Sequence, residues 1–196
     1  IKSLHKLTKA LLNIRSKRGA LEIESQEPIL DINLEGKVNK IILPKRLFSH
    51  QMVEESMLAA NVCAANFMNK HYNFGVYRIH EEPDELKLES LKKFFSLKGF
   101  SGSFSKDPAS LIKQCLLHSK DNKLNKALQT VVLQSLKRAE YSTEELGHFG
   151  LQLQRYSHFT SPIRRYPDLM THRMIKNILN NSLNTTNKDL SLILIL

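Results

Sequence analysis

The sequence predicts an α+β fold: a strand and a β-hairpin near the N-terminus, followed by a mainly helical region. Three observations carry this. Apolar and polar residues alternate with period two between residues 20 and 43, interrupted by the turn Glu35-Gly36-Lys37. From Ser49 onward the apolar residues recur instead at spacings of three and four. With 196 residues, 41% of them hydrophobic, the chain is long enough to bury a core of its own.

Taken in order, Leu4, Leu7, Leu11 and Ile14 lie on one stripe of a helix over residues 3 to 16, which Gly19 ends. ALEIES (20–25) reads as a strand, and ILDINL and VNKIIL as the two arms of a hairpin closed by Pro44. A helix from Ser49, its expected cap, to about Lys70 carries Val53, Met57, Ala60, Ala64 and Phe67 on one stripe. Glu54 and Glu55 stand near its positive end. Neighbouring side chains on a helix diverge by about 100°, so only one of the two faces a given site. FGVYRIH is strand-like, and Glu81-Glu82-Pro83-Asp84 turns into a helix bearing Leu88, Leu91, Phe94 and Phe95 that ends near Gly99. After the loop 100–107, helices are expected at about 108–118 and 121–138. No internal repeat of solenoid period is present.

Charge and cysteine usage narrow the function. Lys and Arg number 29 against 19 Asp and Glu, a formal net charge of +10. That favours a polyanionic partner, nucleic acid before a membrane surface, although an excess of lysine also serves solubility alone. Cys63 and Cys115 sit in apolar helical patterns without metal-ligand spacing, as expected of reduced core residues in a cytoplasmic protein. There is no apolar run of 18 residues, and the basic N-terminal stretch lacks the core and cleavage site of a secretory signal. The chain opens on Ile and closes on a hydrophobic stub, the expectation for a piece of a longer polypeptide.

The stretch RYSHFTSPIRRYPDLMTHR (155–173) concentrates the chemistry. Thr160 or Ser161 suits an N-cap with Pro162 at the first helical position, and Pro167 then starts a second helix with Asp168 in its first turn. On this reading the amides of Ile163, Arg164 and Arg165 point outward at a helix start, and the two guanidinium groups complete a phosphate site. Leu169, Met170, Met174, Ile175, Ile178 and Leu179 form the apolar side of the second helix. Other readings stand beside it. The Arg pair suits a solvated face or a carboxylate partner such as Asp168, and His158 and His172 suit hydrogen-bonded structural positions. Tyr156, Phe159 and Tyr166 fit either base stacking or the core.

GHFGLQLQRYSHFTSPIRRYPDLMTHRMIK (147–176) resembles the signature of the RNB catalytic domain of the RNase II and RNase R family of 3′-to-5′ exoribonucleases, RNase R most of all. KRGALEIESQEP (17–28), MVEESMLAANVCAANFM (52–68) and YRIHEEPDELKLESLKKF (77–94) extend the resemblance in family order over about 180 residues. Residues 1–180 are therefore expected to form the C-terminal portion of an RNB domain, with 181–196 a tail of unclear status.

The resemblance implies processive hydrolysis of single-stranded RNA from its 3′ end to nucleoside 5′-monophosphates, with Mg²⁺ held by an Asp cluster. Arg164 matches the arginine that stabilises the charge of the scissile phosphate. Glu54, with Glu55 as the alternative, matches the carboxylate that contacts the terminal ribose near its 2′-OH. Arg165, Tyr166, His158 and Ser161 are the further expected substrate contacts. The chain departs from the family pattern in three ways. It has no Asp-rich run of the metal-binding kind, so the metal ligands are expected from a missing N-terminal half, and the isolated chain is expected to be inactive. Ile23 stands where some relatives carry a base-clamping Phe. The late Glu and the S1-type domain beyond the signature are absent. The alternatives are a non-catalytic RNA-binding remnant and a helix-turn-helix DNA-binding module using residues 161–180.

Overall fold

The computed structural model describes residues 1–22, 28–72, 74–120 and 125–181. It is an α+β arrangement in which two small antiparallel sheets accompany a set of packed helices. The first helix, α1 (Lys2–Arg18), ends where Gly19 takes a left-handed conformation, φ 83°, that a side chain would strain. Its inward face is not the expected leucine stripe. Thr8 is fully buried, whereas Leu4, Leu7 and Ile14 are 40 to 55% exposed. The helix packs on α2, where His5 meets the Phe48 ring and Arg15 meets Glu54 and Glu55.

Ala20 and Leu21 are buried without forming a strand, and the Leu21 amide donates to the Gly150 carbonyl at 2.9 Å. The rest of the expected strand, Ile23 included, lies outside the described residues. The hairpin forms as expected from β1 (Ile29–Ile32) and β2 (Val38–Ile42), with a register shift between Asp31 and Ile32. Its turn is held by Asn33, whose Oδ1 accepts from the amides of Glu35 and Lys37.

Helix α2 (Phe48–Tyr72) begins one residue before Ser49, so Ser49 lies inside it and does not precede it as a cap. The residues it buries are Glu55, Asn61, Ala64, Ala65 and Met68, of which only Ala64 belongs to the expected stripe. Val53 is 60% exposed. Cys63 is also exposed, which corrects its placement in the core; Cys115 is fully buried, and burial pushes its thiol up to about 12. The strand β3 (Tyr77–Ile79) follows. Its partner, β4 (Glu140–Ser142), is too short to register as a period-two pattern.

The helices α3 (Glu85–Leu97), α4 (Pro108–Lys120) and α5 (Asn125–Ser135) pack into an apolar core of Leu88, Leu91, Phe95, Leu111, Ile112, Cys115, Leu128 and Val132, reached also by Leu21 and Phe149. Helix α5 stops three residues short of the expected end, and the chain continues into β4. A second cluster, Met68, Val76, Met170 and Met174, joins α2 to the last helix, α6 (Tyr166–Leu179). In α6, Met170, Met174 and Ile178 are buried as expected, but so are Asp168 and Thr171, while Leu179 is 69% exposed. Among the described residues no helix is long and apolar enough to cross a membrane. The tail from residue 182 lies outside the described residues.

Candidate nucleic-acid interface

The irregular part of the signature segment is hydrogen-bonded to α2 by Asn61, which is 2% exposed. Its Nδ2 donates to the Tyr156 hydroxyl at 2.9 Å, and its Oδ1 accepts the Phe159 amide at 3.0 Å. The Tyr156 carbonyl in turn accepts the Arg78 amide of β3 at 2.7 Å. One amide side chain thus satisfies two polar groups of an irregular segment that would otherwise be costly to bury. It also fixes the distance between α2 and the segment that leads to the arginines.

After Thr160 the chain makes a single turn over Pro162–Arg164, and α6 begins at Tyr166. The expected turn and the helix start that follows it are both present. The amides of Arg164 and Arg165 both donate to the Ser161 carbonyl, at 3.3 and 3.1 Å, so they do not form the outward anion cup expected from the sequence. The Ser161 amide is held by Asp168, whose Oδ2 accepts it at 2.8 Å and accepts Arg165 Nη2 at the same distance. Asp168 is fully buried, so one carboxylate pins both ends of the turn. What remains for an anion is guanidinium charge, not backbone dipoles.

The two arginines consequently differ. Arg165 is paired with Asp168 and half-buried; Arg164 is exposed at the tip of the turn, beside the fully exposed Ile163 and the 49% exposed Tyr166. His158 is half-buried, its Nδ1 2.7 Å from the Tyr141 hydroxyl, and Arg78 lies over the Tyr141 ring at 4.6 Å. Burial first, then the nearby charge of Arg165, lowers the His158 pKa to about 4, and burial followed by the charge of His80 lowers His148 to about 4. Both rings are therefore neutral at physiological pH. His172 stacks on Phe159 at 4.1 Å, and its Nε2 lies 2.8 Å from the Phe159 carbonyl, a structural pairing.

The two glutamates separate as helical geometry requires. Glu55 is buried against α1, where its Oε1 accepts Arg15 Nη1 at 2.7 Å. The Glu54 side chain, 38% exposed, accepts the same Nη1 at 2.8 Å through Oε1 and pairs through Oε2 with Arg46. Burial would raise the Glu54 pKa, but hydrogen bonds and charge from Arg15 and Arg46 outweigh it and hold the group below the usual carboxylate range. Glu54, Arg165, Asn61 and Tyr156 line a cleft of about 410 Å³ whose remaining walls are His50, Val53, Met57 and Leu58. Val53 and Met57, expected to face the core, line this cleft instead.

A larger cavity of about 760 Å³ lies away from the signature, lined by residues including Ile79, Glu81, Asp84, Lys137 and Glu140. It holds three cations, Lys87, Lys137 and Arg138, of which Lys137 is taken within the protein: its Nζ bridges Glu81 at 2.9 Å and Asp84 at 3.2 Å. The cleft beside α2 is the better candidate because the signature, a carboxylate and an arginine converge on it. Sequence reasoning missed Asn61, Arg15 and Arg46. Their partners lie 8 to 98 positions away, and only the unusual Asn amid the alanines of α2 hinted at one of them. Among the described residues no group of three or more His, Cys, Asp or Glu is placed to hold a metal ion. The residues present do not fit a Mg²⁺ site of the kind the resemblance implies.

The candidate site is thus a signature turn pinned to a long helix, with an arginine exposed at its tip and a carboxylate in the adjoining cleft. Residues 1–181 match the RNB domain model, and the chain belongs to that family. It is 41% identical over 184 residues to ribonuclease R of Vibrio parahaemolyticus and 39% identical over 184 residues to ribonuclease R of Escherichia coli. Each alignment covers 91% of this chain, which spans 22% of the length of those relatives. The fold superimposes on Mycoplasma genitalium RNase R in complex with double-stranded RNA with a TM-score of 0.84 at 29% identity, covering 96% of this chain and 34% of that one. It also resembles the yeast pseudonuclease Ssd1, with a TM-score of 0.65 at 25% identity over 77% of this chain and 19% of that one.

Proposed function

We propose that this chain is the substrate-holding portion of a cytoplasmic 3′-to-5′ exoribonuclease domain that hydrolyses single-stranded RNA to nucleoside 5′-monophosphates. Arg164 stabilises the charge that develops on the scissile phosphate, and Glu54 accepts a hydrogen bond from the terminal ribose hydroxyl. Tyr166 offers an exposed ring beside the phosphate. Arg165, Ser161 and His158 act behind them by holding the turn in place. Of the two glutamates, Glu54 is the substrate contact, because Glu55 is buried against Arg15.

The single observation that carries this reading is the division of labour between the adjacent arginines. Arg165 is paired with a buried carboxylate, while Arg164 is exposed at the tip of a braced turn. The structural relatives add support, since Mycoplasma genitalium RNase R has been solved with ribose methylated single-stranded RNA and with double-stranded RNA.

A second reading, a non-catalytic RNA-binding protein, is favoured by the lack of a metal cluster among the described residues and by the likeness to a pseudonuclease. A helix-turn-helix DNA binder is disfavoured, because a single turn and not a helix precedes α6.

The test compares Arg164→Ala with the unaltered sequence in a polypeptide of the relatives' full length. Turnover on single-stranded RNA is expected to fall about 10²-fold, as for loss of a charge-stabilising donor. Unchanged single-turnover cleavage contradicts the assignment. Tight RNA binding without release of mononucleotides by the unaltered protein favours the second reading.

A further inference from the structure

Glu54 divides its two oxygens between two arginines of different character. Oε1 is held by Arg15, whose side chain is 12% exposed and which also neutralises the buried Glu55. Oε2 is held by Arg46, whose side chain is 49% exposed. The Arg15 guanidinium is held in place by Glu55, whose 5% exposed carboxylate would be left unpaired away from water if the bond broke, and so it stands fixed beside Glu54 Oε1. An exposed ion pair is weak and exchanges readily. The carboxylate therefore has one permanent and one replaceable partner, and the replaceable one is on the more exposed side of the group.

We infer that Arg15, on α1, is the positioning residue for sugar selection: it fixes the rotamer and charge of Glu54, leaving Oε2 to exchange its bond with Arg46 for one with the terminal ribose hydroxyl. This rests on the reading of Glu54 as the ribose contact. It makes α1, which contributes no residue to the cleft, a determinant of the discrimination between ribose and deoxyribose. Arg46, once displaced, is a free cation beside the bound nucleotide and carries no part of the discrimination.

The experiment measures the affinity of this chain for a short single-stranded oligoribonucleotide and for the same oligonucleotide with a 2′-deoxy 3′-terminal residue, by fluorescence anisotropy. The unaltered chain is expected to prefer the ribose end. Arg15→Met should reduce that preference about tenfold, the scale of one hydrogen bond to a charged group, while affinity for the deoxy end stays within about twofold. Arg15→Lys should restore part of it. Because Arg15→Met leaves Glu55 buried and unpaired, Arg15→Met/Glu55→Gln removes both and should show the same loss of preference in a folded chain.

Glu54→Ala separates the two levels of the argument. If Glu54→Ala abolishes the preference but the Arg15 variants keep it, the positioning role is wrong and the ribose contact stands. If Glu54→Ala leaves the preference intact, or the unaltered chain shows none, the ribose contact itself is wrong and the inference falls with it. Equal weakening of both oligonucleotides by the Arg15 variants marks a purely structural residue and overturns the proposal.

Discussion

The α3–α4–α5 region and the α2–α6 region are both well buried, yet they are built differently. In the first, the buried side chains are mostly apolar, with Phe95, Ile112, Cys115 and Val132 fully enclosed, and the buried polar ones, Ser119, Gln129 and Ser135, are uncharged and bond within their own helices. In the second, buried polar groups sit among methionines: Glu55, Asn61, Ser157, Asp168 and Thr171. Apolar packing is tolerant of direction and serves a scaffold. Charge-assisted hydrogen bonds are directional, and they suit a region that must hold an irregular turn at a defined place. The signature turn is thus flanked by two polar anchors, Asn61 bonding Tyr156 and Phe159 before it and Asp168 after it.

That contrast can be broken by paired substitutions. Phe95→Ala and Asp168→Ala should each cost about 3–5 kcal/mol, the first through a cavity and the second by leaving Arg165 without its buried partner. Denaturant unfolding measures both. Only Asp168→Ala should weaken single-stranded RNA binding by the protein that remains folded. Equal effects on binding would erase the distinction between the two regions.

Asn61→Ala should cost about 1–3 kcal/mol, since it leaves the Tyr156 hydroxyl and the Phe159 amide without their partner. An acid response should accompany these effects. His148 and His158 fall from an ordinary 6.5 to about 4 in the folded chain, so the unfolded chain takes up protons first as pH drops. Stability contributed by the neutral rings is full above pH 6.5 and is lost progressively between there and about pH 4. A thermal melting series should show this decline, and His158→Gln should flatten it. Arg164→Ala should have the smallest effect on stability, within about 0.5 kcal/mol, because the side chain is exposed.

Much of the scaffold was legible in the sequence, because local pattern dictates it. The hairpin turn at Gly36, the helix stop at Gly19 and the Leu88, Leu91, Phe95 face of α3 all follow from spacing and turn chemistry. Periodicity reports that a face is apolar, not what covers it. That is why Leu4, Leu7 and Ile14 of α1 and Val53 of α2 were expected in the core and are exposed. The site was legible only where its partners are close in sequence, as with Arg165 and Asp168, three positions apart. Asn61 with Phe159 and Arg15 with Glu55 span 98 and 40 positions, and nothing local distinguishes such residues before the helices pack. The amides after Ser161, expected to point outward, turn inward for a similar reason. Ser161-Pro162 is a good start signal, but Asp168 reaches back to the Ser161 amide and closes the segment after one turn.

The central claim is that RNA lies along the cleft between α2 and the signature turn, with the tip arginine at its phosphate. The most direct measurement is an amide chemical-shift titration of the chain with a short single-stranded RNA bearing a free 3′ end. The account predicts shifts concentrated at residues 50–61 and 155–166, with α3–α5 unmoved. Shifts confined to the 760 Å³ cavity around Lys137, with the signature turn silent, would contradict it.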